Sequence, residues 1–501
     1  MNYIRTEANG QLTFAETTES LIIPSMLYGF HNTSTETVTA ASGRNVFVFH
    51  GTVDLEDDER RCDCGYHMHI NNSSDVSLRH LPFGSTLTDV VYPHIQLRCH
   101  KCGATRSQFI SFKAQGHRIT QELFNYVYDL LATGNYTNKE VASLAGLHQA
   151  VVKSIDKQRL LDKYTIDGKQ LRKPEQQAEY LGIDEFKLHD GHKFATHIID
   201  LKTGHVLFIA EGKKKRVVYN FIQFVGQEWM KQVKAVACDM NSDFAEAFTE
   251  RCPHLEIVFD HFHIVKNFND KVVSEIRKDE YRRLIKEGET EAAKQLKGSK
   301  YILTSKRSTL QQKDKDALEG KAISKGSELF DTEDYVRSEG YEARYDELLK
   351  QNHLLFTADL IKEKLDRAYR MDDPAQMDTA IADIVFYCYE TKNKYFEWFG
   401  RLLWKHHDGI VSYAKYKISS GKIEGINNKI KTIRRQSYGY PDDEYFFLKI
   451  MDARIDLFTN VSSTPGTVSA RSLQATIYMH YIRVGISKPK LIKLFSGKFI
   501  T

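Results

Sequence analysis

Four of the seven cysteines fall in two close pairs, Cys62/Cys64 in "RCDCGYHMHI" and Cys99/Cys102 in "LRCHKCGATR". Thiolates two or three residues apart can converge on one tetrahedral Zn²⁺. MNYIRTEANG lacks the basic-then-apolar pattern of a secretory leader, so a cytoplasmic chain is expected, and there paired cysteines point to metal rather than disulfides. The second pair has the form of a ribbon knuckle: an extended strand, C-x-x-C, then glycine at the turn. The first pair, C-x-C, is tighter than usual, and His67, His69 and His100 stand nearby as substitute ligands. A site closed by four protein ligands implies a structural Zn²⁺.

A second chemical signal lies in "SSGKIEGINNKIKTIRR", residues 419–435. Isoleucines at 423, 426, 430 and 433 mark the buried face of an amphipathic helix. Asn428, Lys431 and Arg435 fall on another face, with Arg434 beside them, and suit a DNA backbone. A lone acid, Glu424, heads that basic face. Spacing alone does not select it, because the helix dipole favours a Glu in any first turn.

The elements that would position such a helix come from residues 179–264. "YLGIDEFKL", "KFATHIIDL" and "HVLFIAEG" read as three strands joined by tight turns. "VVYNFIQFVGQEWMKQ" reads as a helix, "VKAVACD" as a buried parallel strand, "SDFAEAFTERC" as a helix and "HLEIVFD" as another buried strand. The order β-β-β-α-β-α-β predicts a ribonuclease H-like mixed sheet with helices on both faces. There the first and fourth strands are neighbours, which brings Asp184 and Asp239 together at the carboxyl ends of parallel strands, where such sheets carry their sites. Two adjacent acids repel, and a hard divalent cation, Mg²⁺ or Mn²⁺, removes the conflict. Glu185, Asp190, Asp243 and Asp260 are local competitors. Alternation does not separate Asp184 from Glu185, since both faces of "YLGIDEF" are apolar. A helix crossing the sheet could bring Glu424 over the two aspartates.

Upstream, "ITQELFNYVYDLL" and "TNKEVASLAGLHQAVVKSIDK" predict a helix-turn-helix, with Thr137 and Glu140 as a capping box and Gly146 at the turn. Its second helix would present Gln149, Lys153 and Lys157 to DNA. The domain reading is a β-rich region with the ribbon (62–102) over 1–115, the helix-turn-helix over 116–165 and a polar linker over 166–178. The sheet domain takes 179–264 and 411–460, a helical insertion takes 265–410, and a tail, 461–501, has no assignment. Within the insertion, "TSKRSTLQQKDKDALEGKAISKGSE" reads as an exposed loop. The net charge of +4 does not by itself announce nucleic acid; positive charge is local, in "EGKKKRVV" and the 419–435 helix. No apolar run is long enough to span a bilayer.

The ribbon, the helix-turn-helix, "GIDEF", "ACDMNSDF", "FDHFHIVKNFN" and above all "GKIEGINNKIKTIRRQSYGY" resemble the ISL3 family of bacterial insertion-sequence transposases. The resemblance implies a DDE enzyme with Asp184, Asp239 and Glu424 as its catalytic, Mg²⁺-binding triad, interrupted by an insertion domain. It also implies an auxiliary pair, Asp260 and His263. The expected activity is binding of terminal inverted repeats, then Mg²⁺-dependent strand cleavage and transfer by two-metal phosphoryl transfer. The expected partner is double-stranded DNA, with a homodimer or larger assembly on it, in the bacterial cytoplasm with the nucleoid. The rival readings are a DNA-binding regulator derived from a transposase and a structure-specific ribonuclease H-like nuclease.

Overall fold

The computed structural model describes residues 27–453 apart from 241 and 438, and the backbone of two short paired strands, Ile4–Ala8 and Gln11–Ala15. The tail 461–501 lies outside the described residues.

The first sheet is built from β1 (Phe30–Thr39), β2 (Asn45–Val53), β3 (Met68–Phe83), β4 (Thr86–Cys99) and β5 (Thr105–Ser107), in the order β1-β2-β4-β3 with β5 on β4. Phe49, Leu78, Val90, Tyr92 and Phe112 form its core. The long β3–β4 hairpin pairs Met68 with Cys99, so the cysteine turns sit at its far end.

Three helices follow: α1 (Gln121–Ala132), α2 (Asn138–Ala145) and α3 (Gln149–Tyr164). Thr137 and Glu140 form the reciprocal capping box at the start of α2. Gly146 ends α2 at φ 64°, and a Cβ there would lie 2.4 Å from the Leu87 side chain. Glycine is required on both counts. Val141, Ala145, Val152 and Ile155 close the bundle.

The second sheet comprises β6 (Tyr180–His189), β7 (Lys193–Asp200), β8 (Val206–Glu211), β9 (Ala235–Cys238) and β10 (Glu256–Phe259). Its order is β8-β7-β6-β9-β10; the β6–β9 and β9–β10 pairs are parallel, the other two antiparallel. One face carries Ile183, Ile198, Phe208, Val236 and Cys238, packed by α4 (Lys215–Val225) and α5 (Ser242–Arg251). The expected single helix after β8 stops at Gly226, whose φ of 94° leaves the helical region, and a short turn, Gln227–Met230, follows. The other face carries Ala195, Ile199, Ile209 and Ala237.

The chain leaves β10 through α6 (His261–Phe268), a π-helical turn at Asn269–Val273 and a run of helices ending at Tyr416. The stretch expected as a loop contains α7 (Arg307–Leu318), because Leu310 and Ala317 recur two turns apart and are buried with the stem of Lys313. A two-stranded ladder, Ala322–Ser324 with Tyr335–Val336, also interrupts the helices. Ile264, Phe268, Phe396 and Phe399 continue the core of the sheet's first face, so the insertion shares one core with the sheet.

The chain then returns through α8 (Gly421–Gln436), whose Ile423, Ile426, Ile430 and Ile433 cover the sheet's second face, and α9 (Asp443–Met451). Helix α3 docks on α9. Asp156, fully buried, accepts hydrogen bonds from Arg159 Nε (2.9 Å), Tyr445 Oη (2.6 Å) and Lys449 Nζ (2.9 Å). Arg159 reaches on to Asp452 at 2.8 Å, and Leu160 packs with Tyr445 and Leu448. Among the described residues no helix is long and apolar enough to cross a membrane.

His197 on β7 is fully buried, and neither ring nitrogen has a partner among the described residues. Burial lowers its pKa from 6.5 to about 4. The folded state therefore holds the neutral ring where the unfolded chain takes a proton, so stability is complete above pH 6.5 and falls as pH drops toward 4. At pH 5 the expected loss is about 2 kcal/mol. Urea midpoints at pH 7.5 and 5 measure it, and His197→Leu should shrink the difference by that amount.

Candidate active site and cysteine cluster

Parallel pairing sets Ile183 of β6 opposite Cys238 of β9, so Asp184 and Asp239 follow side by side where that pairing ends. Asp239 lies just past the end of β9, but Asp184 lies midway along β6, not at the strand end expected from the sequence, because β6 runs on to His189 paired with β7. The alternation that sends Ile183 into one core turns Asp184 toward the opposite face, under α8. That separates it from Glu185, which the sequence left open. Ile423 packs so closely on Gly182 that a Cβ there would lie 2.8 Å from its side chain. Farther along, Asn427 Nδ2 donates to Asp184 Oδ2 at 2.6 Å, and Arg434 donates to the Lys187 carbonyl at 2.8 Å. Eleven residues of helix rise about 16.5 Å and five residues of strand about 17 Å, so α8 can run alongside β6 and stay in step.

Asp184 is half-buried, and its second oxygen accepts the Glu185 amide at 2.8 Å. Burial raises its carboxyl pKa, and the charge of Asp239 adds to the rise; the Glu185 amide and Asn427 oppose it. Asp239 is 3.3 Å from His263 Nδ1. Two carboxylates so placed, one raised by burial and by its neighbour, form a hard-oxygen donor set that a divalent cation would relieve. Glu424 lies one turn before Asn427, about 60° away around the axis, and is exposed. Among the described residues, the one group of three or more acid, His or Cys ligands within reach of a single ion is the cysteine cluster, so the three carboxylates lie on neighbouring elements without closing into a ligand shell.

Asp260 and His263 have separate partners. Asp260 caps α6 through the Phe262 amide at 3.4 Å and accepts from the Ser420 amide at 2.9 Å and its hydroxyl. It therefore ties the end of β10 to the residue that starts α8. Asn427 and Ser420 were not singled out in the sequence. Asn427 could have been found, since a residue three after Glu424 shares its flank.

The basic residues divide. Asn428, Lys431 and Arg435 are exposed along α8. Arg434 is half-buried, stacked over Phe446 at 5.1 Å, and burial lowers its pKa. Asn427, Lys431, Arg434 and Arg435 line a cleft of about 370 Å³ beside Phe186. On α3, Gln149 is exposed, whereas Lys157 pairs with Asp442 (3.1 Å) and Glu444 (3.0 Å), and Lys153 lies 3.5 Å from Asp442.

Residues 181–450, more than half of the chain, match the family model of the ISL3 DDE group, described as a transposase. The chain belongs to the ISL3 transposase family. It is similar to the transposase of insertion sequence element IS1001 from Bordetella parapertussis, 28% identical over 385 residues that cover 77% of this chain and 86% of that protein. It is also similar to the transposase of element IS1557 from Mycobacterium tuberculosis, 22% identical over 278 residues, 52% of this chain and 56% of that one. The matched span of this transposase begins at β6 and ends within α9, and so takes in both aspartates, the insertion and α8.

The four paired cysteines lie upstream of that span. Cys62, Cys64, Cys99 and Cys102 bring their sulfurs within 4.8 Å of one another, with Cys62–Cys102 at 3.4 Å and Cys64–Cys99 at 3.6 Å. Sulfurs 2.3 Å from a central Zn²⁺ would stand about 3.8 Å apart, so the set fits a structural zinc. C-x-C suffices because the chain turns sharply after it: Gly65, at φ 83°, donates to the Cys62 carbonyl at 2.8 Å. In the second turn the Cys102 amide, helped by that of Lys101, lowers the Cys99 thiol to about 6. The sulfur set is complete without His67, His69 and His100, whose rings pack on one another at 5.4 and 4.9 Å.

Proposed function

We propose that this transposase cuts and joins the DNA ends of its own element on a ribonuclease H-like domain, with Asp184, Asp239 and Glu424 as the catalytic carboxylates. The observation that carries the reading is the placing of Asp184 beside Asp239 where the parallel β6–β9 pairing ends, beneath the helix that bears Glu424. The strand order, three antiparallel strands followed by two parallel ones, supports the fold. Asp184, Asp239 and Glu424 would hold a pair of Mg²⁺ or Mn²⁺ ions, which when bound supply an activated water or 3′-hydroxyl and stabilise the leaving oxygen. The chain's own residues do the rest. Asp260 fixes the start of α8, so that Glu424 is carried toward the aspartates, and His263 faces Asp239 from α6. Asn428, Lys431 and Arg435 lie on α8 where they would hold the DNA backbone. Gln149, exposed at the start of α3, would read the terminal repeats. Two ends must be held together, so a dimer or larger assembly on DNA follows.

The test is a Mg²⁺-dependent assay on DNA carrying the element's ends, scored for nicked and strand-transfer products. Binding without nicking would identify a regulator, and nicking without joining a nuclease. For the ribbon, purified protein is expected to carry one Zn²⁺ per chain by elemental analysis, and Cys64→Ser to lose most of it.

A further inference from the structure

We propose that Asn427 is a positioning residue that sets the carboxylate of Asp184 and, through α8, its distance from Glu424; this rests on the carboxylate site proposed above. Both oxygens of Asp184 are fixed: Oδ1 by the Glu185 amide at 2.8 Å, Oδ2 by Asn427 Nδ2 at 2.6 Å. Each oxygen keeps a lone pair for a cation, so the group is aimed before any ion arrives.

The choice of asparagine has a chemical reason. A Lys or Arg here would neutralise Asp184 and compete with a metal, whereas an Asp would add a third charge to two that already repel. A neutral amide donates one hydrogen bond and leaves the full charge in place. The arrangement has a cost: Asn427 Oδ1 is buried and has no hydrogen-bond partner among the described residues. A buried acceptor left unpaired opposes folding, so the fold tolerates the loss on one side of the amide while keeping the contact on the other.

The contact also fixes geometry. Asn427 and Glu424 are one turn apart on one flank of α8. With Ile423 wedged against Gly182, the helix has little freedom to roll. The hydrogen bond adds a polar contact to that apolar one, and together they hold the rotation of α8 that decides where Glu424 points.

The test is Mn²⁺ binding by the full-length protein without DNA, followed by electron paramagnetic resonance, in the parent, Asn427→Ala, Asp184→Asn and Lys429→Ala, an exposed site on the same helix. Loss of a residue that orients a metal ligand typically weakens affinity about 10- to 100-fold. Asn427→Ala is expected to show that loss, with its metal-free melting temperature unchanged or raised, and Lys429→Ala to bind like the parent. If Asn427→Ala stays within twofold of the parent while Asp184→Asn loses the ion, the positioning role is wrong and the carboxylate site stands. If Asp184→Asn also binds as the parent does, the carboxylate site itself fails and the positioning role with it. If Asn427→Ala melts far below the parent, the residue is structural and the proposal is overturned.

Discussion

Asp184→Asn and Asp239→Asn are each expected to cut Mg²⁺-dependent cleavage of end DNA by about 10³-fold or more, the several kcal/mol that metal-borne charge stabilisation supplies. End binding should persist, because neither residue lies on the basic face of α8 or at the start of α3. The sign of the stability change separates this from a structural defect. In the metal-free protein Asp184 is raised by burial and by Asp239, so an amide removes a repulsion; its oxygen still accepts the Glu185 amide, and the Asn427 amide turns over to accept from the new NH2. Asp184→Asn should therefore melt no lower than the parent without metal. The parent should gain stability as Mn²⁺ is added, by mass action, and the variant should not. A variant that cleaves at the parental rate would remove that aspartate from the catalytic set. Glu424→Gln should lose cleavage similarly, with a smaller change in metal-free stability because its side chain is exposed.

The second large effect is expected at Asp156, outside the proposed carboxylate site. Its side chain is completely buried and accepts hydrogen bonds from Arg159, Tyr445 and Lys449. Asp156→Ala leaves Arg159, itself buried, with one carboxylate instead of two and leaves Lys449 with no acid among the described residues, a loss of about 3–5 kcal/mol. Urea denaturation should show a lowered midpoint, and hydrogen exchange should rise in α3 and α9 together. The exposed pairs beside it contribute far less: Glu444→Gln, which leaves Lys157 with Asp442 as its acid, should cost under about 1 kcal/mol. A loss at Asp156→Ala of that smaller size would mean that α3 and α9 are not joined in solution. Asp452 extends the network. Its burial would raise the carboxyl, but Arg159 and Lys163 bring it down to about 2. Its contribution is therefore present above about pH 4 and declines as pH falls toward 2.

This docking changes which polar residues α3 leaves exposed. Read alone, "HQAVVKSIDK" places Gln149, Lys153 and Lys157 on one polar face. In the fold, the acids at the head of α9 engage both lysines, and the exposed polar residue at the start of the helix is Gln149. Similarly, Arg434 belongs to the basic face by spacing, yet it braces the Lys187 carbonyl and stacks on Phe446. Helical periodicity reports which residues share a face. It does not report what another segment, hundreds of residues away, lays against that face.

Local physics was legible in the sequence. The capping box at Thr137 and Glu140, the turn at Gly146, the two cysteine turns, the isoleucine stripe of α8 and the succession of strands and helices around Asp184 and Asp239 all follow from spacing, because each is set by residues close in the chain or by one buried face. The tertiary structure alone decided the rest. It turned Asp184 rather than Glu185 toward α8, set Asn427 against it, used Asp260 to anchor Ser420, and merged the insertion's core with that of the sheet. It also placed an ordered helix at Arg307–Leu318, where charge density suggested a loop. These depend on contacts between segments far apart in sequence, where the burial of a few apolar side chains fixes which polar atoms meet, and no local pattern encodes that choice.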